Sequence, residues 1–310
     1  MLKLILSRAA QAIPVLLLVI LITFSMVRLA PGGPFDAEKA VSPEVLENLK
    51  ARYDLDKPFY LQFANYIANA AQGDLGPSFK FPNRSVNEMI ASGFPVTLEL
   101  AAYALLVAIS VGLLAGITAS LRANTWQDYL PMSAAMLGIC LPSFVLGPLL
   151  VLLFGIWLEW LPVAGWGVIP GDKILPAITL GLTYAAYVAR IVRGSLIETL
   201  AQDYIRTAKA KGLKPARIVL RHALPAALTP VVSFLGPAIA GLIAGSFVVE
   251  TIFQIPGLGR FYIQAAFNRD YTMILGTTIF FSVLIIFFNL LADIVLAWLN
   301  PKLRFSGAES

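Results

Sequence analysis

An all-α membrane bundle of six transmembrane helices is the fold class that this sequence predicts, and three observations predict it. The chain is 58% hydrophobic and only 13% charged, with a mean hydropathy of +0.78. That is more apolar surface than a single water-soluble core of 310 residues can hide. Six runs carry no charged residue: 9–27, 100–121, 129–158, 174–189, 223–249 and 271–292. With the first residues placed inside, the inner segments hold 13 cations and four acids, a net of +9, and the outer segments a net of −3. This positive-inside asymmetry predicts that both termini are cytoplasmic.

The elements follow in order. The run 9–27 is long enough to span a bilayer. It is too long for a signal peptide, and the Pro31 that follows Ala30 makes a poor cleavage site, so an uncleaved first span is expected, with residues 1–30 as one unit. Residues 31–94 form the extended polar segment outside. Ser42-Pro43-Glu44 reads as a helix start, with Val45, Leu46, Leu49 and Tyr53 on one face. A second amphipathic helix after Pro58 carries the stripe Phe59, Phe63, Tyr66 and Ile67. Asn83-Arg84-Ser85 matches a glycosylation sequon, a pattern too common to carry weight.

The membrane-embedded core is expected over 95–300, with a tail at 301–310. Its run 174–189 is short, and Arg190 can reach the interface by extending along it. Gly112–Gly116 and Gly241–Gly245 are spaced for close helix approach. Pro142, Pro148, Pro225, Pro230 and Pro237 predict kinks or interruptions. Glu99, Glu250 and Asp293 lie near ends of spans, where structural salt bridging or water contact is expected rather than proton relay.

Between the fourth and fifth runs lies a polar, basic loop, 195–224. Ser195 and Glu198 have the spacing of a capping box. Good helix formers run from Asp203 to Lys211, with the acid early and Lys209 and Lys211 late, the order favoured by the helix dipole. Gly212 predicts a left-handed stop and Pro215 forbids simple continuation. A helix this short is unstable alone in water, so something must hold it.

Several function classes are excluded. The net charge of +5 flanks the spans, which argues against nucleic acid as partner. One cysteine, Cys140, and one histidine, His222, give neither an intrachain disulfide nor a usual zinc site. His222 is expected to be structural, at the membrane end of the fifth run. No GxxxxGK[ST] loop is present, and no residue is assigned a catalytic, cofactor-binding or metal-ligating role. A proton-coupled carrier or a membrane scaffold stays open at this point, although neither a midplane acid nor a convincing internal repeat is visible.

Arg206-Thr207-Ala208, Gly212, and His222-Ala223-Leu224-Pro225 have the spacing of the cytoplasmic loop motif of ATP-binding-cassette importer permeases. Arg206-Thr207 stands where the general motif has Glu-Ala, and His222 where it has Ile, as in the peptide-transporting branch. The segments 29–32, 73–79, 250–253, 256–259 and 268–271 agree, as does 300–304 apart from Asn300 in place of Asp. The whole chain thus resembles the oligopeptide and dipeptide permease family. The resemblance implies a type I importer fold, in the cytoplasmic (inner) membrane of a bacterium. It implies a second permease subunit, two cytoplasmic ATPase subunits that carry ATP and Mg, an extracytoplasmic binding protein, and a peptide as cargo. Dipeptides, nickel complexes or glutathione are the alternative cargoes. It implies ATPase coupling by Asp203, Tyr204, Arg206, Thr207, Ala208, Lys209, Lys211, Gly212 and Leu213. It also implies that Glu250, Pro256, Gly257 and Gly259 serve the external gate or the binding-protein contact.

Overall fold

Helices account for most of the described backbone, and their ends follow from local chemistry together with packing. The structure, a computed structural model, describes residues 2–29, 56–81 and 83–299. Helix α1 (Leu2–Leu29) is followed by the short α2 (Phe59–Ala71) and the long α3 (Val86–Leu121). Next come α4 (Trp126–Cys140), α5 (Ser143–Leu150), α6 (Ile174–Leu200) and α7 (Asp203–Ala210). The small pieces α8 (Pro215–Arg217) and α9 (Leu224–Ala227) lead into α10 (Thr229–Gly245). The chain then forms α11 (Phe247–Ile252), α12 (Leu258–Asn268) and α13 (Tyr271–Leu299). Among the described residues there is no strand, only an isolated bridge between Pro77 and Ser85.

Five helical stretches are long and apolar enough to cross a membrane, and a sixth if the bent pair α4–α5 counts as one span. The run 129–158 is therefore not one straight helix. It breaks by 113° between Cys140 and Ser143, where Leu141-Pro142 interrupts the ladder. Helix α5 then continues as a π-helical turn, Val151–Trp157. Of the other prolines, Pro225 and Pro230 sit in the first turns of α9 and α10, while Pro237 is carried inside α10.

Two helix ends differ from expectation. Helix α3 begins at Val86, inside the segment expected to be extramembranous as far as 94. Ser85 and Glu88 make a reciprocal capping box there, with Glu88 N–H on Ser85 Oγ at 3.1 Å and Ser85 N–H on Glu88 Oε2 at 3.2 Å. Helix α6 does not stop near Arg190 but runs on to Leu200, so Ser195 lies inside it and its carbonyl accepts from Thr199 Oγ at 2.7 Å. The expected capping box at Ser195–Glu198 is absent, because the buried apolar face of α6 (Val188, Val192, Leu196) runs through that stretch and keeps it helical.

The most extensive seam joins α3 and α6. A Cβ at Gly112 would lie 2.7 Å from the Ala185 carbonyl, and one at Gly116 2.7 Å from that of Ala189. The first GxxxG pair therefore performs the expected close approach. The second does so only in part: Gly241 lies against the Tyr184 hydroxyl, whereas nothing lies within 4 Å of a Cβ at Gly245. Helices α10 and α13 instead meet at Gly236, beside Ala292.

The stripe of α2 packs as expected. Phe24 of α1, 1% exposed, has Phe59 and Phe63 at ring-centroid distances of 5.2 and 5.4 Å, with Tyr66 at 6.2 Å. The helix expected after Ser42 and the tail 301–310 lie outside the described residues.

Candidate functional site

Helix α7 hangs at one end of the bundle, joined to α6 by the tight turn Ala201-Gln202. Ala201 N–H bonds the Glu198 carbonyl at 3.2 Å and Gln202 N–H that of Thr199 at 3.1 Å. The helix has eight residues, and its N-cap Gln202 makes no side-chain cap. Its support comes from its own chain. Ile205 is fully buried and Ala208 is 7% exposed, in a cluster with Leu196 of α6, Ile218, and Ala223 and Ala227 at the start of the next span. Leu213 packs against the same cluster. Burying an isoleucine is worth about 1.5–3 kcal/mol, enough to offset the marginal stability of two helical turns.

The opposite face is open. Asp203, Tyr204, Arg206, Thr207, Lys209 and Lys211 are exposed, and the Arg206–Asp203 pair at 3.3 Å lies fully in solvent, where such pairs contribute little. Ala208 therefore does not belong with the outward-facing residues; the spacing of Ile205 and Ala208, three apart, is the signal that marks the buried face. Gly212 adopts the left-handed stop, at φ +74°. Its N–H bonds the Lys209 carbonyl at 2.9 Å, and Leu213 N–H that of Ala208 at 3.4 Å. His222 sits half-buried in a π-helical turn, Ile218–Ala223, that re-enters the bundle.

Beside this loop, α4 is tied to α6 by a bidentate ion pair. Arg193 Nε lies 2.5 Å from Asp128 Oδ1, and Arg193 Nη2 lies 2.6 Å from Oδ2. Asn124 N–H adds a bond to Asp128 at 2.8 Å, and Asp128 is buried. Nearby, Arg8 Nε pairs with Asp293 at 2.9 Å, joining α1 to α13.

At the opposite end, the residues expected at an external gate build a knot around a buried carboxylate. Glu250 is fully buried and, among the described residues, has no cationic partner. Its Oε1 accepts from Thr97 Oγ of α3 at 2.7 Å and lies 2.7 Å from Ser246 Oγ; its Oε2 accepts from Arg260 N–H at 3.1 Å. Leu258 N–H donates to Thr97 Oγ at 2.9 Å. The salt bridging expected for span-end acids thus holds for Glu99, with Lys173 at 2.5 Å, and for Asp293, but not for Glu250.

Gly257 and Gly259 are glycines for closeness, not for turn flexibility. Gly257 is extended, at φ −91° and ψ 175°, and Gly259 lies in α12. A Cβ on Gly257 would meet the Glu250 carboxyl and Thr97 Oγ, the latter at 2.8 Å; one on Gly259 would lie 2.5 Å from Phe247 Cα. Glu250, Gly257 and Gly259 are all buried, so of the four residues only Pro256 is exposed for direct contact with another protein.

A second buried carboxylate, Asp270, caps α13 and gathers the 73–79 loop. Ser78 Oγ, Phe79 N–H at 3.1 Å and Met273 N–H at 3.2 Å all converge on it. In the connection before α6, buried Asp172 accepts from Val168 N–H at 2.9 Å and Ile169 N–H at 3.2 Å. Burial pushes its pKa up, but these backbone donors, together with Gly167 and the charge of Lys173, outweigh burial and hold it below the ordinary aspartate value. Lys173 is shifted upward by its hydrogen bond to Glu99.

Comparison with known proteins places these features in a family. Residues 108–305 match the family described as binding-protein-dependent transport system inner membrane component, and 1–101 match its N-terminal counterpart. The chain is 48% identical over 306 residues to the oligopeptide transport system permease protein OppB of Haemophilus influenzae, covering 98% of this chain and all of that one. It is 49% identical to the OppB of Salmonella typhimurium, with the same coverage. It is 42% identical to the dipeptide transport system permease protein DppB of Bacillus subtilis, over 93% of this chain and 94% of that one. In fold it resembles a chain of the inward-facing MetNI methionine ABC transporter, with a TM-score of 0.56 at 17% identity, over 69% of this chain and 97% of that one.

Proposed function

The chain belongs to the binding-protein-dependent transport system inner membrane component family, and from that premise we propose that it is the permease subunit of an ATP-driven importer of oligopeptides. The observation that carries this reading is the two-sidedness of α7. Ile205 and Ala208 fasten it to the end of α6 and, through Ala223 and Ala227, to the entry of the span that begins with α10, while Tyr204, Arg206, Thr207 and Lys209 face outward. A displacement applied to the outer face is thereby transmitted to two membrane-crossing elements at once.

In this reading α7 lies in a groove on a cytoplasmic ATPase subunit. Two such subunits supply ATP and Mg, and this chain contributes no catalytic group. A second permease completes the pathway, both termini are cytoplasmic, and a binding protein delivers peptide at the Pro256 end. The Glu250 knot locks α12 onto α3, so that the outer surface moves with the spans.

The test is purification from mild detergent followed by reconstitution. Retention of a second permease and ATPase chains, with ATP-dependent uptake of peptides of four or five residues in preference to dipeptides, supports the proposal. A lone chain, or uptake driven by a proton gradient without ATP, overturns it. Preference for dipeptides would overturn the cargo alone.

A further inference from the structure

A cleft of about 450 Å³ opens between α4 and α6 on the α7 side of the bundle. Its walls are apolar, from Met132, Met136 and Ile139 of α4 and Ala186 of α6, and its mouth carries Tyr129, Arg190 and Arg193. The two arginines differ. Arg193 is neutralised inside the cleft by the bidentate bond to Asp128. Arg190, one turn earlier on α6, is exposed and has no carboxylate within ion-pair distance among the described residues. The cleft therefore presents one uncompensated positive charge above a greasy wall.

Its depth in the membrane follows from its neighbours. Trp126 and Tyr129, 70% and 60% exposed, mark the interfacial end of α4, where amphipathic rings settle at headgroup level. Below them Met136 and Leu137, 51% and 62% exposed, face outward at acyl-chain depth. The end of the bundle that bears α7 is also the more basic one, the side on which anionic lipid is drawn to positive charge. A charged oxygen at the mouth and a hydrocarbon tail along the wall are the two halves of one kind of molecule.

We propose that this cleft binds a single phospholipid with an anionic headgroup, its phosphate on Arg190 and an acyl chain along Met132, Met136 and Ile139. The site would fill the gap that the Asp128–Arg193 bridge leaves between α4 and α6, beside the turn that carries α7.

The test needs no assumption about cargo. The full chain, with whatever chains co-purify, is equilibrated in nanodiscs of equal phosphatidylglycerol and phosphatidylcholine. After extraction, the lipid retained per copy of the chain is counted by mass spectrometry. The wild type should retain about one phosphatidylglycerol. Arg190→Gln should lower its retention about fivefold, the effect of one interfacial cation, while Arg190→Lys and Arg217→Gln keep it. Gly194→Leu should displace the lipid without removing charge, since nothing lies within 4 Å of a Cβ at Gly194. Equal retention by Arg190→Gln and Gly194→Leu would overturn the proposal. So would crosslinking of Arg190 to an acidic segment of a partner chain with no lipid retained by the wild type.

Discussion

Substitution at Gly212 separates backbone conformation from available space. The residue sits at φ +74°, and an added Cβ would meet nothing within 4 Å. Any penalty is therefore conformational: about 1–2 kcal/mol for alanine in the left-handed region, less for asparagine, which tolerates it, and most for β-branched valine. The loop can escape this strain only by refolding, which withdraws the partly buried Leu213 from the Ile205–Ala208 cluster and forfeits on the order of 1–2 kcal/mol of burial. The two magnitudes match, so alanine stands at the margin and valine beyond it. A shift of this size changes the population of the native loop by about 5–30-fold. In the reconstituted complex, ATP-coupled peptide uptake should fall in the order Gly, Asn, Ala, Val, while membrane insertion is unchanged. If uptake instead follows side-chain volume, with asparagine as damaging as valine and alanine mild, the left-handed stop is not what matters.

Four further outcomes are expected. Ala208→Asp places an unpaired carboxylate in the buried cluster at a cost of about 3 kcal/mol or more, so trypsin should cleave faster at Lys209 and Lys211; exposed Lys209→Gln should alter uptake no more than about twofold. Arg193→Met should lower the thermal midpoint by the equivalent of about 3 kcal/mol, the low end for a buried pair because Arg193 is 30% exposed. The double variant Asp128→Leu/Arg193→Met should recover most of that loss, and a double variant as unstable as the single would refute the pair. For Asp172 the folded pKa lies below the unfolded one, so its stabilisation is present above the unfolded value and fades as pH falls through the folded value. The difference in thermal midpoint between wild type and Asp172→Asn should accordingly shrink between pH 7 and pH 3, and a constant difference would remove the carboxylate from the explanation. A reporter active only outside the cell should work when fused after Lys80 or near Gly259 and fail at Lys211; activity at Lys211 would invert the orientation.

The sequence alone marked the apolar runs, the charge asymmetry between the segments that join them, the short helix with its glycine stop, and the aromatic stripe of α2. Each depends on single residues or on one helical face: transfer energy sums along a run, and φ near +74° favours glycine whatever surrounds it. The same local signature, Ser-x-x-Glu, occurs at Ser85–Glu88 and at Ser195–Glu198, yet only the first caps a helix. Only packing separated them, because Val192 and Leu196 bury their face against neighbours and carry α6 straight through the second. The 113° break in α4–α5 was visible as Pro142, but its angle was not. The knots around Glu250 and Asp270 were likewise hidden. Their partners lie far away in the chain, 153 residues for Thr97 and 192 for Ser78, and a buried acid held by hydroxyl and backbone donors has no composition signal. Nor could the sequence say that Gly257 and Gly259 are small because a carboxylate and a helix backbone press against them. Close approach is a property of two surfaces, and only the tertiary structure brings both together.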